Sequence, residues 1–375
     1  MCALTVGVDG RFLGAERKGI GRYLETLLRG FALLPQPPRV VLFTSGPVDA
    51  TPYEVVTDVV VAPARTIYGW EQLALSRAWR RRPADLYHAA GNALPFFPPR
   101  PTVLTLHDAM MYERRFHTRG ANRYYWYQAR VLDGAVARCA RVITVSAASA
   151  ADIGRRFGSR LGDRLRVIPE AVDPIFFSPP VPAATAALRR RLNLPAEYFI
   201  HFGAALPRKN TALVLDAYRL ADAGGDFPGL VVAGVTAADQ VTVAAWVAAR
   251  GLGDRVRVVS YLPPADHAVL LAGARALLYP SAYEGFGLPA LEAMAAGVPV
   301  VATRAGALAE TCGDAARYVE PTAADVAAAL TALYGDAALA AGLRARGRER
   351  AAAFSPAEMA ARTVAVYEEA LAAGI

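Results

Sequence analysis

Short apolar runs rich in β-branched residues alternate with longer Ala/Leu/Arg amphipathic segments along the whole chain. Strands that lie parallel in one sheet must be joined by crossovers, and helices of ten or more residues supply them. The alternation therefore specifies an α/β chain with parallel sheets. In the first half, strands are expected at 4–9, 40–44, 55–61, 86–88, 102–106, 142–145 and 165–168, with helices near 19–34, 70–80, 119–139 and 146–157. In the second half, strands are expected at 198–202, 229–233, 256–259, 275–279, 298–302 and 317–319. Helices there fall near 209–222, 239–250, 265–273, 288–296, 323–333 and 337–353. Between the series lies 169–195, where Pro174, Pro179, Pro180 and Pro182 argue against regular structure and for a linker. The expected organisation is two α/β domains in tandem, 1–172 and 173–355, followed by a helix over 356–375. Ser355 is read as the N-cap of that helix, with Pro356 at its first position and Glu358 in its first turn.

With 54% hydrophobic and 20% charged residues in 375, the chain has ample material for two cores, and disorder is excluded. Three cysteines, Cys2, Cys139 and Cys312, form no CxxC pair, so neither a disulfide framework nor a thiolate zinc site is encoded. A reducing, cytoplasmic location is expected. The opening MCALTVGVD lacks the basic and long apolar regions of a signal peptide, and no apolar stretch is long enough to predict a transmembrane helix.

Charge is divided unevenly. Residues 1–170 hold 24 Arg and Lys against 14 Asp and Glu, whereas 171–375 hold 17 against 19, giving +10 and −2. The first half thus suits an anionic neighbour such as phosphate or a membrane surface. The alternative is a compositional bias toward arginine, since Lys18 and Lys209 stand beside 39 arginines. No RNP, zinc-finger or helix-turn-helix signature accompanies the charge, so nucleic acid is not an expected partner.

The most specific segment runs from Tyr279 to Val301, YPSAYEGFGLPALEAMAAGVPVV. A strand ending at Tyr279 leads into a loop with Gly285 and Gly287, and Pro289 opens a helix that closes near Gly297. The glycines let backbone amides approach a ligand, and the helix N-terminus adds positive potential, which together suit an anion or a sugar. Glu284 sits in the loop and Glu292 in the helix. Eight helical residues would rise about 12 Å, too far for the ~5 Å carboxylate pair of a retaining glycosidase, so the two carboxylates suit different parts of one extended ligand.

Glu284 and Glu292 within EGFGLPALE, followed by AMAAGVPVVAT, resemble the retaining GT-B glycosyltransferases of the glycogen-synthase and mannosyltransferase type, the group 1 or family 4 enzymes. The resemblance extends over essentially the whole chain. It implies two Rossmann-like domains facing across a cleft, with the last helix crossing back to the N-terminal domain. It implies that Glu284 contacts the transferred sugar, that Glu292 holds the ribose hydroxyls, and that the amides of Phe286, Gly287 and Leu288 lie near the sugar and the diphosphate.

Other motifs fit the same pattern. FGAALPRKN, residues 202–210, puts Gly203, Arg208 and Lys209 in a loop at the carboxyl edge of a sheet, where open α/β sheets bind ligands. The pair resembles the family's Arg-Lys that neutralises the donor diphosphate; no Walker pattern precedes Lys209, and a basic first turn of a surface helix is the alternative. KGIGRY, residues 18–23, resembles the family's first-loop GxG, which implies that Gly19 and Gly21 face the donor phosphates. Leu24 replaces the third glycine of a dinucleotide fingerprint. TLHD, residues 105–108, ends a strand, and His107 resembles the family histidine that contacts the donor sugar. Asp108 either caps the next turn or joins Arg114 and Tyr124 in binding the acceptor. Ser146 reads as an N-cap. Glu170 stands where many relatives have Asn, which leaves its loop without an assigned role. Aromatics interleaved with arginines over 110–130 present either a membrane or acceptor face, or a buried stripe with a wet arginine side.

The reaction implied is transfer of a hexose to an acceptor hydroxyl with retention, with Arg208 and Lys209 meeting the diphosphate charge and no metal or other cofactor. The detailed resemblance favours GDP-mannose as co-substrate and a glycan or lipid-linked acceptor, at the inner membrane face or in the cytoplasm. UDP- and dTDP-sugars stay open, since base selection lies in loops such as 259–262. From another class, the rival is an inactive GT-B binding subunit, which loss of Glu284, Lys209 or Glu292 would have favoured.

Overall fold

A computed structural model describes residues 4–14, 16–116 and 122–373. By contacts they divide into two compact units, residues 1–171 with 354–375, and residues 172–353. Each is built on one parallel sheet.

The first sheet contains β1 (Thr5–Asp9), β2 (Arg39–Thr44), β3 (Val56–Val61), β4 (Leu86–Ala89), β5 (Thr102–Thr105), β6 (Arg141–Thr144) and β7 (Leu165–Val167) in the order β3-β2-β1-β4-β5-β6-β7. Alternation of side chains explains why its central strands are largely apolar. Val40 and Leu42 join one core with Val6, Val8, Val103 and Ile143, whereas Val41 and Phe43 join a second core with Tyr87, Leu104 and Val142. Both faces are therefore covered. The second unit repeats the plan with β8 (Tyr198–Phe202), β9 (Gly229–Ala233), β10 (Val256–Val258), β11 (Leu277–Tyr279), β12 (Val300–Ala302) and β13 (Ala316–Tyr318), ordered β10-β9-β8-β11-β12-β13. Strand order reverses between β1 and β4 in one sheet and between β8 and β11 in the other. The crevice beyond the carboxyl ends of the strands at such a reversal is the ligand position of open α/β sheets.

The helix Pro356–Ala372 completes the first unit. Met359, Ala360, Val366 and Tyr367 enter the core that holds Leu24, Leu27 and Phe31 of the helix Gly19–Ala32. Gly30 permits the approach, since a Cβ there would stand 2.3 Å from the Pro356 carbonyl oxygen. Glu369 accepts from Arg141 Nε at 2.8 Å and from Arg166 Nη2 at 2.7 Å. Ser355 occupies the N-cap position, but its hydroxyl makes no capping bond, contrary to expectation. Pro356, with its fixed φ and no N–H to satisfy, suffices to start the helix.

Segment 169–195 is also more regular than expected. Asp173 Oδ1 accepts from Ile175 N at 2.9 Å and starts the 3-10 turn Pro174–Phe177. Pro182 then begins the helix Pro182–Leu192, which Asn193 ends with φ of +47°. A proline at the first helical position costs nothing, and the Ala/Leu/Arg run behind it is strongly helix-forming. The helix expected over 70–80 is instead three pieces, Ile67–Gly69, a π-turn Trp70–Ala74 and Leu75–Arg81. The short helix Leu308–Cys312 was not expected. Of the helix expected over 119–139, residues 122–135 are helical and 119–121 lie outside the described residues. No single helix among the described residues is long and apolar enough to cross a membrane.

Candidate active site

In the second unit the loops after β8 and β11 meet at the strand reversal. Gly203 leaves β8 where a Cβ would stand 2.5 Å from Val232 Cγ1, so packing alone demands a glycine there. The turn Pro207–Lys209 ends at Asn210, whose φ is +52° and whose Nδ2 donates to the Pro280 carbonyl at 2.7 Å. Ala282 N donates to the Arg208 carbonyl at 2.8 Å. These two bonds hold the loops together and bring three charges to one point. Lys209 Nζ lies 2.7 Å from Glu284 Oε1, and Arg208 Nη1 lies 3.1 Å from the same oxygen. Lys209 also donates to the Tyr279 hydroxyl at 2.9 Å.

Burial raises the energy of every charge in this cluster, and its balance against the pairing differs between the two partners. For Glu284, burial pushes the pKa up, but Lys209 and then Arg208 outweigh it and bring it down to about 2. For Lys209, burial prevails over the attraction of Glu284 and lowers it to about 8. The three side chains sum to +1, the right sign for a phosphate-bearing ligand.

The backbone around Glu284 is held tightly. Its carbonyl accepts from Ala307 N at 2.9 Å, and Gly306, with φ of +58°, leaves no room for a Cβ, which would stand 2.4 Å from that oxygen. Thr311 Oγ1 donates to the Phe286 carbonyl at 2.6 Å. Gly287, at φ +100°, turns the chain into the helix Leu288–Ala295, so the spacing between the two glutamates is part loop and part helix. Glu292 is buried in that helix, its Oε2 3.5 Å from His267 Nε2. The His267 ring stacks on Phe202 with centroids 4.8 Å apart and meets the edge of Phe176 at 5.5 Å. His267 escaped the sequence reading, because a lone histidine in the helix Pro264–Ala272 carries no local signal.

In the first unit His107 follows β5 and is buried. Its Nδ1 lies 3.0 Å from Glu170 Oε1, its Nε2 lies 3.0 Å from the Ala90 carbonyl, and its amide donates to Asn92 Oδ1 at 2.7 Å. Asp108, one residue before the N-cap position Ala109, accepts from Met110 N at 3.0 Å at the entry to the turn Met110–Tyr112. Ser146 accepts from Ser149 N at 3.0 Å as an N-cap. Gly21 is dictated by packing, since a Cβ would stand 2.4 Å from the Phe12 carbonyl oxygen, whereas nothing lies within 4 Å of a Cβ at Gly19. Arg114 is exposed on the turn Arg114–Phe116.

A second charged cluster closes the carboxyl end of β1. Arg11 lies 3.0 Å from Asp9 and 2.6 Å from Glu71, and Tyr127 donates to Glu71 at 2.8 Å. Burial, against the opposing charge of Arg11, raises Asp9 to about 6. Tyr124 stacks beside Tyr127 with centroids 6.3 Å apart. An acid ending an apolar strand was the available sequence signal for Asp9, whereas Glu71, in a π-turn, offered none. Among the described residues no group of three or more His, Cys, Asp or Glu could hold a metal ion.

Two family models match the chain in tandem. The one described as Glycosyltransferase Family 4 covers residues 17–176, and Glycosyl transferases group 1 covers 187–350. The chain belongs to the group 1, family 4 glycosyltransferases. It is 34% identical over 284 residues to an MMP alpha-(1->4)-mannosyltransferase of Mycolicibacterium hassiacum, covering 72% of this chain and 66% of that protein. It is 31% identical over 261 residues to O-antigen chain mannosyltransferase B of Escherichia coli, covering 68% and 66%. Matches to these relatives thus span just under two thirds of their length. Among solved structures, sucrose-phosphate synthase of Thermosynechococcus elongatus aligns with a TM-score of 0.76 at 23% identity, over 99% of this chain and 100% of that one. Anabaena HepE in complex with UDP and glucose aligns with 0.75 at 18% identity, over 98% and 99%. At such identities the likeness is one of fold, and the fold is GT-B.

Proposed function

We propose that this glycosyltransferase-family chain moves a hexose, mannose from GDP-mannose being the favoured case, from a nucleotide-sugar to an acceptor hydroxyl with retention at the anomeric carbon. The observation that carries this reading is the convergence of Arg208, Lys209 and Glu284 beside the start of the helix Leu288–Ala295, at the strand reversal of the second sheet. The cations and the helix N-terminus meet the charge that develops on a leaving nucleoside diphosphate. Glu284 stands beside them for the sugar hydroxyls, and Glu292 for the ribose. In the reaction the bond from anomeric carbon to diphosphate oxygen breaks, the bond to the acceptor oxygen forms on the same face, and the acceptor proton passes to the departing diphosphate. No cofactor is required by this scheme. Mannose is favoured because two relatives above 30% identity are named as mannosyltransferases.

Calorimetric titration with GDP, UDP, ADP and dTDP, with Glu292→Ala as control, tests the reading. Tight binding of GDP that Glu292→Ala weakens supports it. Preference for UDP or dTDP replaces the donor, and binding of none returns the chain to an inactive subunit.

The same reading includes a lipid-linked acceptor and peripheral contact with an anionic membrane from the cytoplasmic side. Its support is the exposure of Phe97 (79%) and Trp126 (68%) in the arginine-rich first unit, with Arg138 stacked over Phe97. Co-sedimentation with anionic but not zwitterionic vesicles, reduced in Trp126→Ala, is the expected result.

A further inference from the structure

Both ring nitrogens of His107 face oxygens. Nδ1 is 3.0 Å from Glu170 Oε1 and Nε2 is 3.0 Å from the carbonyl oxygen of Ala90, and the carbonyl can only accept. A neutral imidazole has one N–H. Protonated on Nε2 alone it turns a lone pair on the carboxylate, and protonated on Nδ1 alone it turns one on the carbonyl. Only the imidazolium donates to both. A proton shared between Nδ1 and Oε1 belongs mainly to the nitrogen, because imidazolium is the weaker acid by about two pKa units.

The surroundings agree with this assignment. Tyr23 presents its ring edge-on to His107, centroids 4.7 Å apart at 87°, and its hydroxyl lies 3.0 Å from Thr105 Oγ1. Thr105 in turn lies 2.8 Å from His88 Nε2, and His88 Nδ1 lies 2.7 Å from the Tyr367 hydroxyl. The titratable groups facing His107 are therefore Glu170, Asp108, His88 and Tyr23. Burial lowers the pKa of His107, but the hydrogen bond and charge of Glu170, aided by Asp108, raise it above the ordinary value. Burial first, and the charge of His107 second, lower His88 to about 3. Burial thus favours the neutral form of His88 on β4, while Glu170 favours the charged form of His107 just beyond β5.

We propose that Glu170 is a positioning residue that fixes His107 as a doubly protonated, immobile imidazolium, so that His107 acts on its ligand as a fixed positive charge and never as a proton acceptor. This deepens the proposed transfer and rests on it for its chemical meaning: with His107 barred from taking the acceptor's proton, that proton goes to the leaving diphosphate.

The test is long-range ¹H–¹⁵N correlation on histidine-labelled protein between pH 5.5 and 8.5, with His107 assigned by its loss in His107→Gln. Wild-type His107 keeps both nitrogens protonated at pH values where an ordinary imidazole has lost one, and Glu170→Gln lowers its midpoint by at least one pH unit, a tenfold weaker hold on the proton. A wild-type His107 that is neutral at pH 7, or a midpoint unmoved by Glu170→Gln, overturns the proposal. If Glu170→Gln does not fold, the wild-type titration alone decides the charge state. A second readout is the pH profile of kcat, where Glu170→Gln gains a decline with rising pH near 6–7 that Glu170→Asp does not. The spectra need no turnover, so failure of the proposed transfer would be seen separately, as absence of product from any nucleotide-sugar.

Discussion

Lys209 loses its hydration on burial and recovers part of that loss from Glu284, 2.7 Å away, which leaves its pKa at about 8. Binding an anionic diphosphate needs the protonated amine. The free enzyme's kcat/KM should therefore fall above about pH 8, approaching tenfold per unit, while kcat holds to higher pH because the bound diphosphate restores the proton. A steady-state profile with the donor identified by calorimetry checks this, and a flat profile to pH 9.5 would remove Lys209 from the diphosphate site. Stability carries its own signs. Lys209 holds its proton less tightly folded than unfolded, so its burial penalty applies below about pH 8 and fades as pH rises from there toward 10.5. Glu284 is held at about 2 against an ordinary 4.5, so its contribution is present above 4.5 and lost as pH falls toward 2. Glu284→Gln should flatten the acid side of urea midpoint against pH and lower kcat by about 10²–10³, the scale of one lost electrostatic partner in a water-poor site. A Gln variant with wild-type turnover would show that Glu284 only braces Lys209.

At the scale of elements, the Glu284 loop is shaped by a glycine distant in sequence: Gly306, on the strand-to-helix connection after β12, leaves only enough room for a hydrogen against the Glu284 carbonyl. Gly306→Ala combines a left-handed backbone with that contact, so it should cost about 1–3 kcal/mol and lower donor affinity at least tenfold. Thermal melting and calorimetry read the two effects separately, and unchanged affinity would mean that the loop yields freely. The thirteen strands among the described residues were legible because a doubly covered parallel sheet favours contiguous apolar residues, a local property of sequence. The helix Pro182–Leu192 was illegible only because proline was weighed as a breaker, when at a first helical position it is an initiator. Lys209 and Glu284 were legible through their loops. The partners His107 with Glu170, 63 residues apart, and Arg11 with Glu71, 60 apart, were not, since no periodicity or spacing links residues joined by tertiary folding alone.

For the molecule as a whole, the decisive feature is the unequal continuity of the two units. Residues 172–353 are one uninterrupted stretch with their own core, whereas residues 1–171 need 354–375. A fragment 172–353 should fold alone with a single cooperative urea transition. A fragment 1–353 should lose the first unit's transition, because Met359, Val366 and Tyr367 each bury apolar surface worth about 1.5–3 kcal/mol, together comparable with the whole stability of a domain at about 5–15 kcal/mol. Circular dichroism and urea titration of both fragments measure this, and a 1–353 fragment as stable as the full chain would contradict it. The discontinuity also was only partly legible, since the helix over 356–375 could be read from its Ser-Pro start but its Tyr367 bond to His88 could not.

That helix gives the chain an unusual order of assembly on the ribosome. The sheet synthesised first keeps one flank, lined by Leu24, Leu27 and Phe31, without its final cover until the last helix emerges. At ~5–20 residues per second, residues 172–353 occupy roughly 10–40 s of synthesis, during which the second unit can finish folding while the first waits. The part of the chain born first is completed last, so a premature stop between residues 172 and 356 leaves an unfinished first unit with apolar surface open to chaperones and proteases, whatever the state of the second unit.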